Sequence, residues 1–167
     1  MYVTNTIVYE HELPNAKQLL RHIVKAGVDA ILVQDMAVVE LMSEIASEPE
    51  MKGLRMPELH ASTQTDNRTA EKAAWLTSVG FSRVVLAREL SLDEIREVHE
   101  AVPQTELEVF VHGALCVSYS GACPYIIASD VAPTVANVRS SAVWLSTLRT
   151  AEEKPYAVQA ICYRLRT

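Results

Sequence analysis

Cysteine is scarce in this 167-residue chain, and the three present are an odd number. Small secreted domains held by disulfides carry cysteines in pairs, so that class is set aside, and metal binding or reactive thiols in a reducing compartment remain. Long hydrophobic runs are also lacking. No stretch approaches the ~18 apolar residues of a membrane span, and no basic region followed by an apolar one marks a secretory leader. No membrane partner and a cytoplasmic address are therefore expected. Positive charge is in deficit, with 15 Lys and Arg against 21 Asp and Glu and a net charge of −6. Nucleic-acid binders commonly show the opposite balance, which weighs against an RNA partner. Phosphate-cradling glycine loops (GxGxxG, GxxxxGK) and the GxSxG nucleophile elbow are absent from the sequence, which argues against a dinucleotide fold and a serine-hydrolase triad. What is there is an apolar content of 49% with 22% charged residues, ordinary for one soluble domain with a hydrophobic core.

The main regularity is a repeat of about 26 residues marked by Gly27, Gly53 and Gly80, each closing a helical pattern as a glycine past a helix end does. Leu13, Ala16, Leu19, Leu20, Ile23 and Val24 fall at helical spacing, with Lys17, Gln18, Arg21 and Lys25 opposite. The apolar run VDAILVQD follows, of the kind buried in a parallel sheet. Val38, Val39, Leu41, Met42, Ile45 and Ala46 repeat the pattern before Gly53 and the strand-like MPELHAST, as do Ala70, Ala73, Ala74, Leu76 and Val79 before Gly80 and FSRVVLARE. A fourth helix opens on Ser91 with Glu94 three residues later, a capping box, and places Leu92, Ile95, Val98 and Val102 on one face before Pro103 and the strand LEVFVHGA. With YVTNTIVY as the opening strand, the chain reads as an α/β protein of alternating βα units. The expected architecture is a partial (β/α) TIM-type barrel with about five parallel strands and an irregular C-terminal tail, since a full barrel takes eight strands and typically ~250 residues.

In such barrels the chemistry sits at the C-terminal strand ends. Polar residues gather there: Asn5 and Thr6, Gln34 and Asp35, His60 with Ser62, Thr63 and Gln64, Arg88 and Glu89, then His112 and Cys116. Strand ends of any α/β protein meet solvent and are often polar, so each residue alone carries little. As a set they bring an acid, two imidazoles, a guanidinium and a thiol to one rim. His11, His22 and His99 fall on helical or turn segments and read as surface residues. Cys116 and Cys123 are separated by six residues, with Gly121 among them permitting a tight loop. Two thiolates are half of what zinc or an iron–sulfur cluster takes, and two buried thiols in a loop is the competing reading.

The stretch EVFVHGALCVSYSGAC, residues 108–123, resembles the signature of the collagenase-like peptidase family of unassigned mechanism, matching at Glu108, Phe110, His112, Gly113, Cys116, Gly121 and Cys123. Asn5-Thr6, Gln34-Asp35, the HASTQ run from His60 and LARELS from Leu86 resemble further strand ends of that family, so the likeness covers residues 1–123. It implies a barrel-type domain acting on peptides or proteins, with Asp35, His60, Glu89, Glu108 and His112 as candidate general bases or metal ligands. Asn5, Ser62, Gln64 and Arg88 are implied substrate contacts. Members with a similar cysteine pattern hold a four-iron four-sulfur cluster through four cysteines and serve hydroxylation of ribosomal or transfer RNA or of a quinone precursor. That alternative makes Cys116 and Cys123 the first two ligands and RNA the partner. A third reading is a non-catalytic fragment or a binding protein on the same core.

Departures from the family set two more expectations. Relatives carry strand and helix units ahead of the Asn5-Thr6 strand, so the barrel is expected to lack its opening. Residues 124–167 lose the capped helices and glycine punctuation. A one-base frame change after about Cys123 accounts for this, because residues 136–167 can be back-translated into a shifted frame that resembles the family's cysteine-bearing continuation. Cys162 would then be incidental.

Overall fold

The computed structural model describes residues 1–112, 118–122 and 161–165. Five strands alternate with four helices: β1 Tyr2–Thr4, α1 Leu13–Lys25, β2 Ala30–Val33, α2 Met36–Ser47, β3 Glu58–Ala61, α3 Ala70–Ser78, β4 Phe81–Val85, α4 Leu92–Ala101 and β5 Glu106–His112. A further strand, β6, spans Ile161–Leu165. The sheet order is β1-β2-β3-β4-β5-β6, with the first five strands parallel and β6 antiparallel to β5.

Local chemistry explains the helix boundaries. Pro14 stands in the first turn of α1, where a missing N–H costs nothing, and Gly27 past its end takes φ +68. The Asp35, Thr69 and Ser91 side chains accept backbone N–H bonds at the starts of α2, α3 and α4, and Glu94 returns the bond to Ser91 in the expected capping box. Between α1 and α2 the polar edges pair, Lys17 with Glu44 at 2.6 Å and Arg21 with Glu48 through two bonds of 2.6 and 2.7 Å.

Sequential strand order has no reversal point, and right-handed crossovers then place every helix on the same side of the sheet. The core agrees. Ile31, Val33, Ala61, Val84 and Leu107 from the strands pack with Leu20, Ile23, Val24, Val38, Ile45, Ala73, Leu76 and Val98 from the helices. This is the arrangement of a barrel wall. Among the described residues the sheet remains open, with β1 at one edge and β6 at the other.

Two expectations change. Leu92 does not join the core face of α4 but stays 79% exposed, while Val98 and Val102 are buried. A helical side chain leans toward the preceding turn, and Leu92, the first residue of α4, has none beneath it. The tail is not irregular at Ile161–Leu165, which pairs along Leu107–His112 and covers a strand edge that would otherwise be open to other chains. Residues 124–160 of the tail lie outside the described residues.

Candidate functional site

The strand register puts Leu32, His60, Arg83 and Glu106 side by side across β2 to β5. These residues alternate with the core set, so they line the face turned away from the helices. Glu58 shares that face through β3, and Glu108, two residues beyond Glu106, through β5. Arg83 reaches it because of an irregularity in the β3–β4 ladder: Leu59 pairs with Phe81 and His60 with Arg83, leaving Ser82 without a counterpart. Phe81 therefore stays in the core, 2% exposed, and the extra residue turns Arg83 to the polar side.

On this face Arg83 donates to Glu106 at 2.6 and 2.9 Å and to Glu108 at 3.2 Å. His60 lies beside them, 4% exposed, with neither ring nitrogen hydrogen-bonded among the described residues. Glu58 approaches Nε2 to 3.6 Å, an ion-pair distance too long for a hydrogen bond. Burial, reinforced by the Arg83 charge, pushes the His60 pKa below its ordinary 6.5, and Glu58 and Glu108 offset this only in part. A neutral imidazole with both nitrogens free can accept a proton or a hydrogen bond from a bound ligand.

A second cluster occupies the C-terminal strand ends. Here Ser118–Ala122, part of the stretch between the two family cysteines, is tied to the segments that follow β3 and β4. The Ser120 N–H donates to Glu89 Oε1 at 2.8 Å, and its hydroxyl oxygen accepts from the backbone N–H and Nε of Arg88 and from Thr63, each at 3.3 Å. Arg88 also donates to the Ser118 carbonyl at 3.1 Å and Arg68 to the Ser120 carbonyl at 3.0 Å. Gly121, at φ +81, passes so close to Asp66 that a Cβ would stand 2.6 Å from the Asp66 Cβ, so only glycine fits. Partial burial opposes ionisation of Glu89, but the bonds from Ser120 outweigh it, with Arg68 adding attraction, and hold the carboxyl below its ordinary 4.5. Buried Asn67 fastens the base of this rim by donating to the carbonyls of Ser62 and Val85, both at 2.8 Å.

The expected site residues therefore divide. His60 and Glu108 share the polar face, and Arg88 and Glu89 share the rim. Ser62 donates to Asn5 Oδ1 at 2.5 Å and accepts from the Gln64 N–H at 3.1 Å, which joins β1 to β3 just below that rim. Asp35 is held apart, since one carboxylate oxygen caps α2 at Ala37 and the other accepts from the Val8 N–H, both at 2.9 Å. His112 ends β5 in an exposed position. Cys116 and Cys123 lie outside the described residues. Among the described residues no group of three or more His, Cys, Asp or Glu is arranged to hold a metal. With three cysteines in the chain, its thiols alone do not fit a four-iron cluster, which takes four. Arg83, Glu58, Glu106, Arg68 and Ser120 were not singled out in the sequence. An arginine inside an apolar strand run was the available signal for the first.

Residues 1–131 match the model of Peptidase family U32. The chain is 49% identical over 124 residues to the 23S rRNA 5-hydroxycytidine C2501 synthase of Escherichia coli (strain K12), which covers 74% of this chain and 17% of that protein. It is 36% identical over 121 residues to the tRNA hydroxylation protein P of the same organism, covering 72% of this chain and 25% of that one. The chain thus spans about a quarter or less of these two relatives. Among solved structures, the U32 peptidase Mk0906 superposes with a TM-score of 0.50 at 23% identity over 65% of this chain and 41% of that one, a likeness of fold. No helix among the described residues is long and apolar enough to cross a membrane.

Proposed function

The chain belongs to peptidase family U32, and on that premise we propose that it serves hydroxylation of a base in ribosomal or transfer RNA rather than cleavage of a peptide bond. The observation that carries this reading is the 49% identity to a ribosomal RNA hydroxycytidine synthase over a stretch holding both clusters. The peptidase reading, the leading expectation from the sequence, keeps the family name in its favour. The geometry favours it less. Among the described residues no serine is hydrogen-bonded to a histidine, the Ser62 hydroxyl is turned to Asn5, and Asp35 has both oxygens engaged by backbone N–H groups. Nucleophilic catalysis wants a nucleophile and a base in mutual reach. The polar face offers instead a neutral imidazole beside a guanidinium held by carboxylates, suited to binding and orienting a polar heterocycle.

Cys116 and Cys123 are proposed as two thiolate ligands of a four-iron four-sulfur cluster, which takes four, one more than the three cysteines of this sequence. The test is nucleoside mass spectrometry of 23S ribosomal RNA and transfer RNA from the native host with the encoding gene deleted. One hydroxylated pyrimidine nucleoside should disappear and return when the gene is restored. Unchanged RNA, together with gelatin hydrolysis by the purified protein, would establish the peptidase reading instead.

A further inference from the structure

Tyr119 is 66% exposed, whereas its neighbour Ser120 is 1% exposed and bonded through N–H, hydroxyl and carbonyl to Glu89, Arg88, Thr63 and Arg68. The backbone that carries Tyr119 is therefore fixed while its ring stands in solvent. One side of the ring is occupied, because the Arg68 guanidinium carbon lies 5.3 Å from the ring centroid. That guanidinium is itself held by the Asp66 carboxylate and the Ser120 carbonyl. A planar cation against one face of an aromatic ring is a stable pairing, and a ring so backed can take a second flat partner on its free face without first being ordered. Its place is the C-terminal strand rim, where this fold class keeps its chemistry.

We propose that Tyr119, backed by Arg68, is a stacking platform for an unpaired nucleobase of single-stranded RNA. Unstacked bases are recognised by stacking on aromatic and guanidinium planes as well as by charge, so a base can be taken at this point on a chain of net charge −6. Arg88, beside the platform, has no carboxylate within ion-pair distance among the described residues, and it adds positive potential for the adjoining phosphate. The inference rests on the RNA reading above and goes beyond it in naming the residues that meet the base.

The experiment is fluorescence anisotropy of a labelled single-stranded RNA dodecamer titrated with the full chain and its variants. Tyr119→Ala is expected to weaken binding by about 5- to 140-fold, the range that loss of one base–aromatic stack produces. Tyr119→Phe and Tyr119→Trp keep a flat ring and stay within about twofold of the unaltered chain. Trp75→Ala serves as the control: Trp75 is also exposed, at 46%, and also carries a cation, Lys72 at 5.3 Å, but lies on α3. Its loss should leave binding unchanged. RNA bound equally well by Tyr119→Ala overturns the platform and leaves the RNA reading standing. An equal loss in Trp75→Ala also overturns it, since any exposed aromatic would then suffice. No RNA binding by the unaltered chain overturns both, and displacement of bound RNA by gelatin over the same concentrations assigns the surface to peptides.

Discussion

On the helix side of the sheet the strands present Ile31, Val33, Ala61, Val84 and Leu107, each at most 1% exposed, while one residue away in the same strands the other side presents Leu32, His60, Arg83, Glu106 and Glu108. The first set is held by shape and removal from water and needs no particular partner beyond the aliphatic residues of α1 to α4. The second is held by charge, and its order depends on Arg83 standing between two carboxylates beside an imidazole with no hydrogen-bond partner among the described residues. Alternation along a strand lets both coexist within a few residues. Stability is therefore assigned to the helix side of the sheet, and the proposed binding chemistry to its polar side and the adjoining rim.

Substitutions on the two sides should differ in size and in kind. The largest effect is expected from Leu76→Ala in α3, where a fully buried side chain at 0% exposure leaves a cavity. A loss of about 2–5 kcal/mol in urea unfolding is predicted, with little dependence on pH. Arg83→Ala on the other side removes the shared partner of Glu106 and Glu108, whose side chains are 31% and 18% exposed. A fully buried pair would cost more, and with solvent at hand the loss should be about 1–2 kcal/mol. An effect as large as that of Leu76→Ala would erase the distinction between the faces.

The smallest expected effect, and the one that differs in kind, concerns His60. Its folded pKa lies below the ordinary 6.5, so the unfolded chain binds more protons below that pH. Stability should fall as pH drops through about 6.5 and level off once the folded-state pKa has been passed. His60→Gln should flatten this part of the profile while leaving stability near neutral pH almost unchanged. A slope identical in the variant would mean that another group titrates there.

The side held by shape was the more legible in sequence. Hydrophobic periodicity and capping residues such as Ser91 are local, and they located all five parallel strands and four helices. Leu92 failed because its spacing matched the core stripe while its place at the first position of α4 left it nothing to cover. The polar side depends on register, which spacing does not encode. Arg83 joins His60 only through the unpaired Ser82, and the bonds from Ser120 to Glu89 and from Arg88 to Ser120 link residues 31 and 32 positions apart. Net charge weighs against RNA, and the RNA reading proposed above rests instead on the few groups at the rim, Tyr119 and Arg68 foremost.

The most direct test of the claim that this rim is the working side is photochemical cross-linking of single-stranded RNA to the chain, with the attachment sites mapped by mass spectrometry. The stacking proposal predicts cross-links in segments 62–68, 86–89 and 118–122, with Tyr119 among them. Cross-links on the outer surfaces of α1 and α2, with none at the strand ends, would contradict it.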